Sequence, residues 1–100
     1  MKASDVALAL REVYDPELGI DIVSLGLLYD IEVEPDAVRV TMSMTTPNCP
    51  MAAAIAHATE TKLETISEGR GVEVQVVHNP PWNVGMLNAD ARKWLGLPEN

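Results

Sequence analysis

Cys49 is the only cysteine in a chain of 100 residues. It stands in "TTPNCP", Thr45 to Pro50, between Pro47 and Pro50. A lone thiol forms no internal disulfide, and it cannot build a metal cage by itself. Two chemistries remain open to it, nucleophile and single metal ligand, and both use the thiolate. The alternative is a small buried side chain that fills space. Spacing alone does not choose between them. The two prolines favour function, because a loop stiffened at both ends fixes a side chain better than a free one. Pro50 also suits the first position of a helix. Cys49 is then expected at the N-cap, facing the free N–H groups of Met51, Ala52 and Ala53, where the positive helix end favours a thiolate.

Other reactive residues are few. "YDPEL" brings Asp15 and Glu17 together, a pair that could do acid–base work or bind a cation. The favoured structural reading is a turn in which Asp15 accepts a nearby backbone N–H. Of the two histidines, His57 falls beside the apolar stripe of a helix, and His78 precedes "NPPW" in a loop. Met42, Met44, Met51 and Met86 read as core and rim rather than as ligands. No G-x-G-x-x-G, G-x-x-x-x-G-K-[ST], G-x-S-x-G or H-E-x-x-H occurs, which disfavours nucleotide enzymes, serine hydrolases and zinc proteases.

The elements that must position these residues follow from periodicity. Ser4 is a plausible N-cap for a first helix carrying Val6, Ala9, Leu10 and Val13, which should end near Tyr14 before Pro16. "DPELG" is a turn, with Gly19 free to take positive φ. From Leu27 the chain alternates, with Leu27, Tyr29, Ile31 and Val33 on one side and Leu28, Asp30, Glu32 and Glu34 on the other. "EPDA" turns it into Val38, Val40, Met42 and Met44, alternating with Arg39, Thr41, Ser43 and Thr45, and the two strands should pair as a hairpin. Pro50 to Ser67 reads as the main helix, with Met51, Ile55, Thr59, Leu63 and Ile66 in one stripe. Val72 to Val77 is a third strand, parallel to the second across a right-handed crossover. "HNPPWNVG" is irregular, because its prolines remove backbone donors. Asn88 caps a last helix, Ala89 to Leu95, closed by Gly96 and Pro98.

The expected fold is therefore α+β in two layers: a small mixed three-stranded sheet with the helices packed on one face, in the order α-β-β-α-β-α. Its other face, with Thr41, Ser43, Glu73 and Gln75, is polar enough to meet water or a second copy. If the second and third strands are parallel, Cys49 and the segment His78 to Trp82 leave the sheet at the same carboxyl edge, where α/β sheets bind ligands. That argument places Cys49, Asn79 and Trp82 close together, with His78 as a further candidate.

Composition bounds the rest. One hundred residues with 47% hydrophobic content make one domain, 1–100, able to bury roughly 65% of its unfolded surface. The net charge of −8 argues against nucleic acid and against an anionic membrane surface. No stretch reaches the ~18 apolar residues of a membrane span, and the opening run is too short for a signal peptide. With a single cysteine, this reads as a cytoplasmic protein.

Three stretches then carry a resemblance. "DPELGIDIVSLGLLYDI" (15–31), "TTPNCP" (45–50) and "NPPWNVGMLNADARKWLG" (79–96) resemble the domain-of-unknown-function-59 family, the metal–sulfur cluster biosynthesis group that includes PaaD and SufT. The resemblance covers nearly the whole chain, with three separated motifs in order. Departures occur at Ser24, where the family often has an acidic residue or Asn, and at Val84, where Pro is common. The resemblance implies an iron–sulfur-cluster-assembly-like domain acting with assembly machinery and client proteins, and it singles out Cys49 of the T-P-x-C-P motif. The expected site is Cys49, as functional thiol and ligand for transient iron or a shared cluster, surrounded by Asp15, Glu17, Thr46, Asn79 and Trp82. No tightly bound cofactor is expected, and a homodimer is left open. The leading reading is an accessory factor in cluster assembly or delivery rather than an enzyme. The alternative is a non-catalytic adaptor using an exposed Pro-Pro-Trp and Met86 surface. A thiol-dependent enzyme with Asp15 or His78 as base ranks third, for want of a base at short spacing.

Overall fold

The computed structural model describes residues 1–97. The order of elements is α1 (Ala3–Leu10), β1 (Tyr14–Asp15), β2 (Ile20–Asp21), β3 (Leu28–Val33), β4 (Ala37–Met42), α2 (Ala52–Ile66), β5 (Gly71–Val76), a 3-10 turn (Val84–Met86) and α3 (Ala89–Leu95). The mixed sheet runs β3-β4-β5, antiparallel between β3 and β4 and parallel between β4 and β5. This is the expected α+β arrangement with its hairpin and parallel third strand. Pro98, expected beyond the last helix, lies outside the described residues.

β4 is bonded on both sides, and its alternation sorts the sheet. Val38, Val40 and Met42 point into the core, opposite Val33, Ile31 and Leu28 of β3 and level with Val72, Val74 and Val76 of β5. Arg39 and Thr41 point outward with Glu32, Asp30, Glu73 and Gln75. Ser43, expected on that outer face, is instead buried: β4 ends at Met42, and the Ser43 N–H turns to the Leu27 carbonyl at 2.9 Å.

α2 covers the inner face with the expected stripe, Ile55, Thr59 and Leu63 being buried. Thr59 spends its hydroxyl on the Ile55 carbonyl at 2.8 Å, which lets a polar residue sit in the core. The helix ends at Ser67, after which Glu68 and Gly69 take positive φ, and Arg70 reaches the Glu34 carbonyl at 2.9 Å. That bond ties the helix exit to the β3–β4 turn. α1 starts two residues earlier than its serine suggested. Lys2 is the N-cap, and the Asp5 carboxylate accepts from the Lys2 N–H at 2.8 Å, so Ser4 lies inside the helix. Regular helix stops at Leu10 and loosens through three-residue turns to Val13, whose carbonyl accepts from the Ile22 N–H at 2.9 Å. Tyr14, expected at the end of the helix, therefore begins the two-residue strand β1, paired antiparallel with β2.

Leu63 is fully buried and Leu8 is 67% exposed. Urea unfolding of Leu63→Ala should show a loss of about 2–5 kcal/mol. Leu8→Ala should stay within about 0.5 kcal/mol of the parent.

Candidate functional site

At Met42 the three strands share one level. Met42 pairs with Leu28 and Val76, and its carbonyl accepts from the Val77 N–H at 2.8 Å. From this edge depart the Cys49 loop, the segment after β5 and, in the reverse direction, the chain entering β3. The expected common edge for Cys49 and residues 78–82 is thus present.

The edge is built on residues 22–27, of which periodicity assigned only Leu27, as a strand start that the structure moves to Leu28. Their backbone receives the C-terminal segment in three places. The Trp82 indole N–H donates to the Leu25 carbonyl at 2.6 Å, and the Asn88 N–H donates to the Ser24 carbonyl at 3.0 Å. Gly26 holds φ +75°, and a Cβ there would run into the Met86 carbonyl. A register shift between Leu28 and Asp30 puts Tyr29 out of the ladder. It also reverses the expected phase: Leu28, opposite Met42, belongs to the core face. The Tyr29 hydroxyl donates to the Pro80 carbonyl at 2.7 Å, with the Met86 sulfur 3.7 Å away. Five contacts therefore join the first and third of the resemblance-bearing stretches. The signal in the sequence was Gly26 beside Ser24, a small-residue pair on which another backbone could lie.

Trp82 and Met86, expected as exposed anchors, are half-buried. Burial follows from the indole N–H finding a carbonyl and the thioether finding a hydroxyl. His78 and Asn79 are exposed, as is His57 on α2.

Cys49 is not the N-cap of α2. That position belongs to Met51, and Cys49 sits two residues upstream. Its N–H donates to the Thr46 carbonyl at 3.3 Å and its carbonyl accepts from the Ala52 N–H at 3.1 Å, so two successive turns hold it. Pro50 takes the second position of the Cys49–Ala52 turn, which its fixed φ suits. The side chain is half-buried against the rim of the core. Thr46 is joined to Cys49 through its backbone. Among the described residues no hydrogen bond links Cys49 to Asp15, Glu17, Asn79 or Trp82.

Asp15 is 2% exposed, and its Oδ1 accepts from the N–H groups of Glu17 at 2.8 Å and Leu18 at 3.2 Å. It organises the turn, with Gly19 at φ +69°. Glu17 itself points to solvent. Among the described residues, no three His, Cys, Asp or Glu side chains come together as a metal-ligand set. On the outer sheet face Arg39 bonds Glu34 and lies 3.4 Å from Glu73, and these carboxylates, Glu34 first, hold its guanidinium above the ordinary arginine range.

A mixed three-stranded sheet backed by helices, with a single thiol on a turn at its carboxyl edge, defines a class of small α+β domain. The sequence model of the family described as "Iron-sulfur cluster assembly protein" matches residues 3–76, and the chain belongs to that family. It is 39% identical to the Fe-S protein maturation auxiliary factor of Porphyromonas gingivalis, over 93% of this chain and 90% of that one. It is 43% identical to the Fe-S protein maturation auxiliary factor SufT of Staphylococcus aureus, over 85% of this chain and 98% of that one. The crystal structure of the Domain of Unknown Function DUF59 from Bacillus anthracis superposes with a TM-score of 0.88 at 38% identity, covering 95% of this chain and 92% of that one.

Gly19 and Gly26 have nearly the same positive φ, but a Cβ at Gly19 meets nothing within 4 Å. Gly19→Ala should therefore cost only the backbone strain, about 1–3 kcal/mol. Gly26→Ala should cost measurably more in the same denaturation series and shift the Trp82 emission. Equal losses would show that the C-terminal segment does not rest on residue 26.

Proposed function

We propose that this protein is an accessory factor in iron–sulfur cluster assembly or delivery, working in the cytoplasm with assembly machinery and client proteins, and that Cys49 is its functional thiol. The observation that carries this reading is the family match across residues 3–76, which spans Cys49, together with maturation auxiliary factors among its relatives over most of their length. The placement of Cys49 supports the thiol's part: it is half-buried, turned by two prolines and free of a disulfide.

One thiolate falls three short of a cluster's usual set. Cys49 therefore handles iron or a cluster as cargo, and the remaining ligands come from a client, a small-molecule thiol or a second copy. Asp15 does not complete the set, because its carboxylate is committed to its own turn. The adaptor reading loses its anchor at Trp82, whose ring is half-buried and whose N–H is engaged.

Cys49→Ser, expressed in a strain lacking the parent protein, should lower the activity of a cluster-dependent enzyme severalfold. Its own abundance and melting temperature should stay unchanged. Full maturation by the serine variant would overturn the role of the thiol while leaving the fold's role in maturation standing.

A further inference from the structure

Four aromatic residues are present, two Trp and two Tyr, with no Phe. Tyr29 and Trp82 are spent on holding the C-terminal segment. The other two, Tyr14 of β1 and Trp94 of α3, are 58% and 72% exposed. They come from distant parts of the sequence, yet they line the same cleft with Gly19, Ile20, Ala91 and the carboxylates of Asp21 and Asp90. Among the described residues no Lys, Arg or His lines it. Asp21 uses Oδ2 to accept from the Ser24 N–H at 2.9 Å. No residue of the Cys49 loop takes part.

The cleft has a volume of about 160 Å³. Small-molecule sites occupy roughly 300–1,000 Å³. It therefore suits one long side chain rather than a whole metabolite. Aromatic rings attract a cation through their quadrupoles, and the apolar lining of Ile20 and Ala91 suits the methylene stem of the same side chain. Two carboxylates add charge complementarity, in a chain whose net charge is −8. Arginine fits better than lysine, because its planar guanidinium stacks on a ring while donating in a fork to carboxylate. A second copy of this chain is the poorer occupant, since it brings its own excess of negative charge to an acidic cleft.

We propose that the Tyr14–Trp94 cleft is a docking site for an arginine side chain on a basic segment of a protein partner. This site is separate from the thiol and stands whether or not Cys49 carries cargo.

Calorimetric titration with a capped tetra-arginine peptide at low ionic strength tests it. Saturable one-to-one binding is expected, weakened about five- to tenfold by Trp94→Ala and severalfold by Asp90→Asn. Glu73→Gln, which removes a carboxylate from the outer sheet face, should leave it unchanged. Tetra-lysine should bind more weakly. Circular dichroism checks the fold of each variant. Tyr14→Leu, which keeps apolar area but removes a ring, gives a second reading should Trp94→Ala fold poorly. Absence of saturable binding overturns the proposal, as does equal weakening by Glu73→Gln and Asp90→Asn. A dimer that dissociates on Trp94→Ala, without peptide binding, assigns the cleft to a second copy and overturns it too.

Discussion

The backbone ladder on both sides of β4 is the constraint on which the rest depends. A central strand has no free edge, so its register fixes both neighbours at once. β3 is locked antiparallel and β5 parallel, and both meet β4 at Met42. Because that level is shared, the turns that leave it start from fixed points. Cys49 is placed by a short chain of such points: the Ser43 N–H on Leu27, the Thr46 turn, then the start of α2.

The C-terminal segment shows how irregular chain becomes ordered without a ladder. Prolines at 80 and 81 cannot donate. The segment is held instead by side-chain donors, the Tyr29 hydroxyl from β3 and its own Trp82 indole, and by the near contact of Met86 with Gly26. The bulge at Tyr29 is part of the same device, since it takes that side chain out of the sheet's alternation and lets it reach Pro80. Residues 22–27, which form no regular element, act as the base plate for this whole region.

What the sequence made legible was whatever periodicity or capping governs. The hairpin, the parallel third strand, the stripe of α2 and the bounds of α3 with its Asn88 cap all follow from spacing, and the structure has them. The turn role of Asp15 was legible for the same reason, being a bond to its own neighbours. Long-range partners were not legible. Two-residue strands such as β1 and β2 are too short to show alternation. The bulge reversed the phase of Leu28 without altering composition. Trp82 looked like an exposed anchor because nothing local announces that its N–H meets Leu25, 57 residues away in sequence. Cys49 was expected two residues too close to the helix because Pro50 at a first helical position and Pro50 in a preceding turn read alike.

The outer face of the sheet has a consequence for how these molecules meet. Arg39 sits there among Glu32, Glu34 and Glu73, with Asp30 on the same face. Each acid is tolerable within one molecule, because a single guanidinium is shared between three of them. Laid against its own image, the same face would bring rows of carboxylates into register with too few cations to separate them. A sheet face left uncovered invites stacking, and here the arithmetic of charge makes that face repel its twin. Crowding at high concentration would then direct encounters away from this side and toward the helices and loops.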